Sequence, residues 1–105
     1  MIAENKCTDV SCKLTPPELQ QRKESMITRL RLQVTDKQEL DNGYAFKFPG
    51  DDRTIDELVE FIKTERECCG FFTFSLSVSG DQSEAWLTLT GPAGAKEFIV
   101  AEMQL

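Results

Sequence analysis

One short stretch, in which a helix runs directly into an aromatic strand, decides the fold of this chain. That stretch is Glu65-Arg66-Glu67-Cys68-Cys69-Gly70-Phe71-Phe72. Glycine readily adopts the left-handed conformation that follows many helices, so Gly70 predicts the end of this helix. Two of the chain's four cysteines stand side by side in the last turn before it. The stretch therefore fixes an element boundary and raises the main functional question, which is what these thiols do.

The residues before this stretch predict an amphipathic helix that begins at Thr54. Thr54 and Glu57 have the spacing of a capping box. One face of the helical wheel then holds Ile55, Leu58, Val59, Ile62 and Cys69. Cys68 lies about 100° away, on a flank with Phe61. We therefore expect Cys69 to pack in the core and Cys68 to face outward.

The rest of the chain predicts two further helices and two hairpins. A capping box from Thr15 to Glu18 begins the first helix, which ends near Arg31. The turns of the hairpins are predicted at Asp41-Asn42-Gly43, where Asn-Gly tolerates positive φ, and at residues 80–83. Period-two alternation and the final apolar stripe predict strands within 31–35, 44–48, 71–78 and 85–90, and a last helix at 93–103.

This order of elements, α-ββα-ββα, predicts an α+β fold. Antiparallel hairpins joined by helices form one sheet with the helices on one face, so we expect a two-layer sandwich with four antiparallel strands. Residues 14–105 are long enough to form a single α+β domain with one core. Residues 1–13 are polar and lack periodicity, which predicts a flexible N-terminal arm that carries Cys7 and Cys12.

Composition narrows the classes of partner. Among 105 residues, 18 are acidic and 12 are basic, for a net charge of -6, and no basic patch is evident, which argues against nucleic acid. No stretch approaches the roughly 20 apolar residues of a membrane span. The N-terminus has no apolar segment of signal-peptide length, so we expect a cytoplasmic protein with no membrane contact. In a reducing compartment, cysteines are more often free, metal-bound or redox-active than paired in structural disulfides.

The setting of the cysteine pair argues against a catalytic nucleophile and favours binding over enzyme activity. The chain has no histidine, which removes the commonest general base near neutral pH. Cys68 and Cys69 lie at a helix C-terminus, where the dipole disfavours a thiolate, and Glu65 and Glu67 add negative charge. Adjacent cysteines in a helix also lack the geometry of a disulfide.

A soft metal ion overcomes these objections because it supplies positive charge and deprotonates its own thiol ligands. Cys68 and Cys69 can converge on one ion, and Cys12, just before the first helix, can supply a third thiolate. Without histidine, this set suits a soft ion such as Zn²⁺, Hg²⁺ or As(III). Plain core packing remains open for each cysteine, since Cys is among the most buried residue types.

A different hypothesis is a non-enzymatic interaction module. The sheet face without helices is mostly Ser and Thr, but the alternation places Phe71 and Trp86 on it. Exposed aromatic residues on one face can mark a docking surface. The partner would be another protein or a second copy of the chain, which would form a homodimer.

Three segments together resemble a family of small uncharacterised bacterial proteins. They are Cys12-x-Leu14-Thr15-x-x-Glu18, Asn42-Gly43-Tyr44-x-Phe46 and Glu65-x-x-Cys68-Cys69-x-Phe71. The resemblance covers about residues 12–103 and carries no established activity. It implies proximity to heavy-metal handling genes, which agrees with a thiolate site. Cys7 lies outside the resemblance.

Overall fold

The computed structural model describes residues 17–68 and 70–103, with side chains from 21 to 67 and from 70 to 101. Its elements, in chain order, are α1 (Pro17–Arg31), β1 (Asp36–Leu40), β2 (Gly43–Phe48), α2 (Asp52–Cys68), β3 (Thr73–Val78), β4 (Ala85–Thr90) and α3 (Ala95–Phe98). The last helix continues as a π-helical turn, Ile99–Met103. The predicted order α-ββα-ββα is confirmed. The predicted arm at residues 1–13 and the helix cap at Thr15 lie outside the described residues.

The four strands form one antiparallel sheet in the order β1-β2-β4-β3. In the register, Phe46 of β2 lies opposite Leu87 of β4, which lies opposite Leu76 of β3. These residues share the sheet face that packs against the helices. The core on that side includes Met26, Ile27, Leu30, Leu58, Phe61, Phe46, Phe48, Leu87, Leu89 and Ile99. The predicted two-layer α+β sandwich, with its helices on one sheet face, is confirmed.

The predicted position of the first strand is wrong. Residues 32–35 are not a strand, and the Leu32 side chain is 82% exposed. The main-chain N–H of Leu32 donates to Thr28 O at 3.3 Å, and the N–H of Val34 donates to Leu30 O at 3.2 Å. These bonds satisfy carbonyl groups at the end of α1, which otherwise lack partners. Residues 32–34 therefore complete the hydrogen bonding at the end of α1, and β1 begins only at Asp36.

The first hairpin turns at the predicted place, but its glycine is required for a different reason. We predicted that Gly43 would provide a positive φ. Among the described residues, the positive φ values belong to Gly94 (96°) and Gln82 (64°) instead. A Cβ atom at position 43 would lie 1.8 Å from the main-chain oxygen of Leu89. Gly43 therefore allows β2 to approach β4 closely.

Helix α2 begins two residues before the predicted cap. Asp51 precedes the helix, and its carboxylate accepts hydrogen bonds from the Thr54 hydroxyl at 2.7 Å and the Thr54 N–H at 3.4 Å. An acidic cap of this kind satisfies a free N–H of the first turn. The hydrogen bond from the Thr54 hydroxyl also lowers the pKa of Asp51 below its ordinary value.

The predicted buried face of α2 is rotated relative to the observed one. Leu58 and Phe61 are fully buried, as is Glu65, whereas Ile55, Val59 and Ile62 are only half-buried. The buried positions 54, 58, 61 and 65 follow one another at intervals of four, three and four residues. The prediction that Phe61 lies on a flank is therefore wrong. The predicted packing of Cys69 in the core and the outward position of Cys68 concern side chains outside the described residues.

Only one of the two aromatic residues predicted on the open sheet face lies there. Phe71 is buried, with ring centroids 4.4 Å from Phe72 and 5.2 Å from Phe98. Strand β3 begins only at Thr73, so Phe71 precedes the alternation used to place it. Trp86 is half-buried on β4, and its indole N–H donates to Glu84 Oε2 at 3.1 Å. The open face therefore retains Trp86 but not Phe71.

The phase of α2 can be tested by comparing two neighbouring substitutions. We expect Phe61→Ala to lower the free energy of unfolding by about 3–5 kcal/mol, because it opens a cavity in the core. Ile62→Ala should cost clearly less, since that side chain is half-buried. Urea denaturation of both variants measures the difference. Equal costs, or a larger cost at position 62, would contradict this orientation of the helix.

Candidate functional site at the meeting of two helix ends

Helices α1 and α2 pack antiparallel, which places the start of α1 beside the end of α2. Arg22, near the start of α1, forms an ion pair with Glu60 at 2.8 Å. Gln33, just after the end of α1, donates a hydrogen bond from its Nε2 to Glu57 Oε1 at 2.8 Å, near the start of α2. Contacts further along α1 are therefore made to residues earlier in α2, as expected for antiparallel helices. Cys68, the last residue of α2, and the first residues of α1 therefore belong to the same end of the helix pair.

A buried ion pair joins the helices close to that end. Lys23 Nζ lies 3.3 Å from Glu65 Oε2, and the two side chains are 11% and 0% exposed. The same ammonium group lies 5.9 Å from the ring centroid of Phe98 on α3. Burial removes both charges from water, so each charge depends on its partner, and losing either would be strongly destabilising. The pair therefore sets the position of α1 relative to α2 at these two residues.

Each partner occupies a position that an apolar residue would normally take. Glu65 continues the buried series of positions 54, 58 and 61 on α2. Lys23 lies on the face of α1 that also buries Met26, Ile27 and Leu30. The spacing of three, four and seven residues along α1 places these side chains on one stripe. The hydrophobic interface between the helices thus ends in a charged layer near the cysteines.

Two of the three predicted metal ligands, Cys68 and Cys69, follow Glu65 closely in the sequence. Cys68 is the last residue of α2, three positions after Glu65, and its side chain lies outside the described residues. Cys69, Cys12 and Cys7 also lie outside them. Within the described side chains, which include none of the cysteines, no group of three or more potential metal ligands is present. The predictions for Cys12, Cys68 and Cys69 therefore stay predictions.

Helix geometry sets how far Cys12 must reach to meet the other two. From the level of the Lys23–Glu65 pair, Pro17 lies about 9 Å further along α1, and Cys68 about 4.5 Å further along α2, in the same direction. Packed helix axes are about 8–10 Å apart. The five residues from Cys12 to Pro17 can extend about 17 Å. That length exceeds the separation of the helix ends.

Sequence reasoning missed the importance of Lys23 and Glu65. We treated Glu65 as a negative charge that disfavours a thiolate, but its ion pair with Lys23 offsets that charge. The spacing of three and then four residues that leads from Leu58 through Phe61 to Glu65 was readable in the sequence. No pattern, however, pairs Lys23 with a residue 42 positions away. Only the packing of the helices identifies it.

A concave region lies between the first hairpin and the last helix. Its volume is about 410 Å³, and its lining includes Glu39, Tyr44, Lys96 and Val100. Lys96 donates to the Glu39 carboxylate, which lowers the pKa of Glu39 and raises that of Lys96. The same ammonium group lies 5.7 Å from the Tyr44 ring centroid. Because Lys96 and Glu39 bind each other, we interpret this region as a structural contact that joins α3 to β1.

Comparison with protein-family models, curated proteins and solved structures finds no match, so the site is interpreted from its own residues. Of the helices in the described residues, none combines the length and the apolar character needed to cross a membrane.

The dependence of each buried charge on its partner can be tested by a double-mutant cycle. We expect Lys23→Met alone to lower the free energy of unfolding by about 3–5 kcal/mol, because it removes the ammonium group that lies beside the buried Glu65 carboxylate. Adding Glu65→Leu should restore most of that loss. Urea denaturation in metal-free buffer measures each value.

The exposed ion pair Arg22–Glu60, with side chains 57% and 48% exposed, provides a matched control. Arg22→Ala should cost no more than about 1 kcal/mol. If the double variant at positions 23 and 65 is as unstable as Lys23→Met alone, the two charges do not act as a pair.

Proposed function

We propose that this chain binds a soft metal or metalloid ion through the thiolates of Cys12, Cys68 and Cys69, in the reducing environment of the cytoplasm. The observation that carries the proposal is the antiparallel packing of α1 on α2. It brings the start of the helix that follows Cys12 to the end of the helix that carries Cys68. This packing supports a site shared by cysteines that are 56 positions apart in the sequence.

The charges of this region suit a bound cation better than a free thiolate. The C-terminal end of a helix such as α2 carries the negative end of the helix dipole. Lys23 offsets Glu65, and the exposed Arg66 offsets the exposed Glu67 in the last turn. The negative end of the helix dipole remains, and it favours an ion that brings positive charge to the thiols. The ion also deprotonates the thiols directly, so the site needs no general base.

The donor set determines the class of ion. Three thiolates without histidine favour soft ions over Mg²⁺ or Ca²⁺, which prefer oxygen ligands. As(III) forms three bonds to sulfur and would be satisfied by this set. Zn²⁺ is usually four-coordinate and would add water or another ligand. Hg²⁺ also binds thiolates strongly. The proposal therefore covers these three ions and orders none of them by affinity.

The interaction module is the weaker proposal for function. Its docking surface was the open sheet face with Phe71 and Trp86, and Phe71 is buried in the core. The exposed β3 residues on that face are Thr73, Ser75 and Ser77, which are small and polar. Without its second aromatic anchor, this face supports docking less well than the helix ends support a thiolate site.

Native mass spectrometry of the reduced chain with Zn²⁺, Hg²⁺ or As(III) tests the proposed site. We expect a one-to-one complex with at least one of these ions. Cys12→Ser, Cys68→Ser and Cys69→Ser should each weaken binding by more than about 100-fold, because each removes a direct ligand. Cys7→Ser is the matched control and should bind as tightly as the unmodified chain.

Two outcomes would refute the assignment. One is a stoichiometric complex that persists in the Cys68→Ser and Cys69→Ser variants. The other is loss of binding in Cys7→Ser but not in Cys12→Ser, which would place the third ligand elsewhere on the arm. Thermal unfolding of each apo variant shows whether a loss of binding reflects a loss of fold.

A further inference from the structure

Strand β3 is an edge of the sheet, and its outward main-chain groups can be identified. β3 pairs with β4 alone among the strands of the described residues. Immediately after Val78, the N–H of Ser79 donates to Glu84 O at 3.1 Å. Hydrogen-bonded pairs alternate along an antiparallel ladder, so Thr73, Ser75 and Ser77 bond to β4. Phe74, Leu76 and Val78 therefore direct their N–H and C=O groups away from the sheet.

The two edges of the sheet differ in their protection. The opposite edge, β1, carries Asp36, Lys37 and Glu39 among its five residues. β3 has the sequence Thr-Phe-Ser-Leu-Ser-Val, without a charged residue or a proline, in a chain of which 29% is charged. Charged residues and prolines on edge strands normally prevent pairing with another chain. β1 has this protection, and β3 does not.

At the same edge, the apolar side chains of β3 are only partly buried. Phe74 and Leu76 lie on the helix-covered face and are half-buried, and Val78 is 48% exposed. Their strand partners on β4, Leu89, Leu87 and Ala85, are fully buried. The apolar layer is therefore complete at β4 and incomplete at β3. A strand added beside β3 would extend that layer.

We propose that β3 pairs antiparallel with β3 of a second copy of the chain, about a two-fold axis at Leu76. This register places Leu76 opposite its own counterpart and Phe74 opposite Val78 of the second copy, so a large side chain faces a small one. The three outward residues of each strand would form about six main-chain hydrogen bonds. The sheet would then have eight continuous strands.

Self-pairing suits this edge better than capture of an unrelated strand, because the edge is complementary to itself under two-fold symmetry. The whole chain has a net charge of -6, yet β3 brings no charge to the contact. The nearest acidic residues, Asp81 and Glu84, follow the end of β3. Antiparallel pairing places the two copies of this turn at opposite ends of the joined strands, which limits repulsion.

Sedimentation equilibrium of the full chain in reducing, metal-free buffer tests the proposal. The unmodified chain should sediment as a dimer of 11.9 kDa subunits. Val78→Lys should raise the dimer dissociation constant at least about 100-fold, because two symmetry-related charges would lie against an apolar strand. Val78→Pro should act similarly by removing an outward N–H without breaking a bond to β4.

Gln38→Lys, which changes an exposed residue on the opposite edge, is the matched control and should remain a dimer. Thermal unfolding confirms that each variant is folded. A monomer at several hundred micromolar for the unmodified chain would overturn the proposal. A dimer that survives both substitutions at Val78 would overturn it too, since the contact would then lie elsewhere.

Discussion

The ion pair between Lys23 and Glu65 is the interaction on which the arrangement of the helix ends depends. Two opposite charges inside an apolar interface tolerate little displacement, because moving either helix would leave a charge buried without compensation. A hydrophobic contact at the same place would tolerate sliding by part of a turn. The pair therefore sets the level of α1 against α2, and with it the distance between the first residues of α1 and the last residue of α2.

This constraint links the fold to the proposed site. Thiolate ligands from three separate positions must converge within about 2.3 Å of one ion. The proposed ligands Cys68 and Cys69 are adjacent in the sequence, but Cys12 precedes α1. A fixed helix pair limits the search that the third ligand must make, which reduces the entropy lost on binding.

Much of the fold was readable in the sequence because local signals agreed with one another. Caps, glycine breaks and strand alternation indicated three helices and two hairpins in the observed order. The errors have physical causes. Leu32 looked like the start of a strand, but the chain there closes the end of α1. On α2, apolar residues alone indicated the wrong face, because Thr54 and Glu65 are buried with partners while Ile55 and Ile62 are not fully covered.

The site itself was less predictable than the fold. The cysteine motif drew attention to the right helix end, yet the partnership of Lys23 with Glu65 is a long-range contact that no local pattern encodes. The predictions for Cys12, Cys68 and Cys69 came from the sequence, and the antiparallel packing of the two helices supports them.

The proposed convergence of the three thiols is tested most directly by cross-linking of the reduced, metal-free Cys7→Ser variant with dibromobimane, a short bifunctional thiol reagent, followed by peptide mapping of the monomeric product. The result expected is a link from Cys12 to Cys68 or Cys69. Exclusive linkage of Cys68 to Cys69, with Cys12 unlinked, would contradict the convergence of the three thiols.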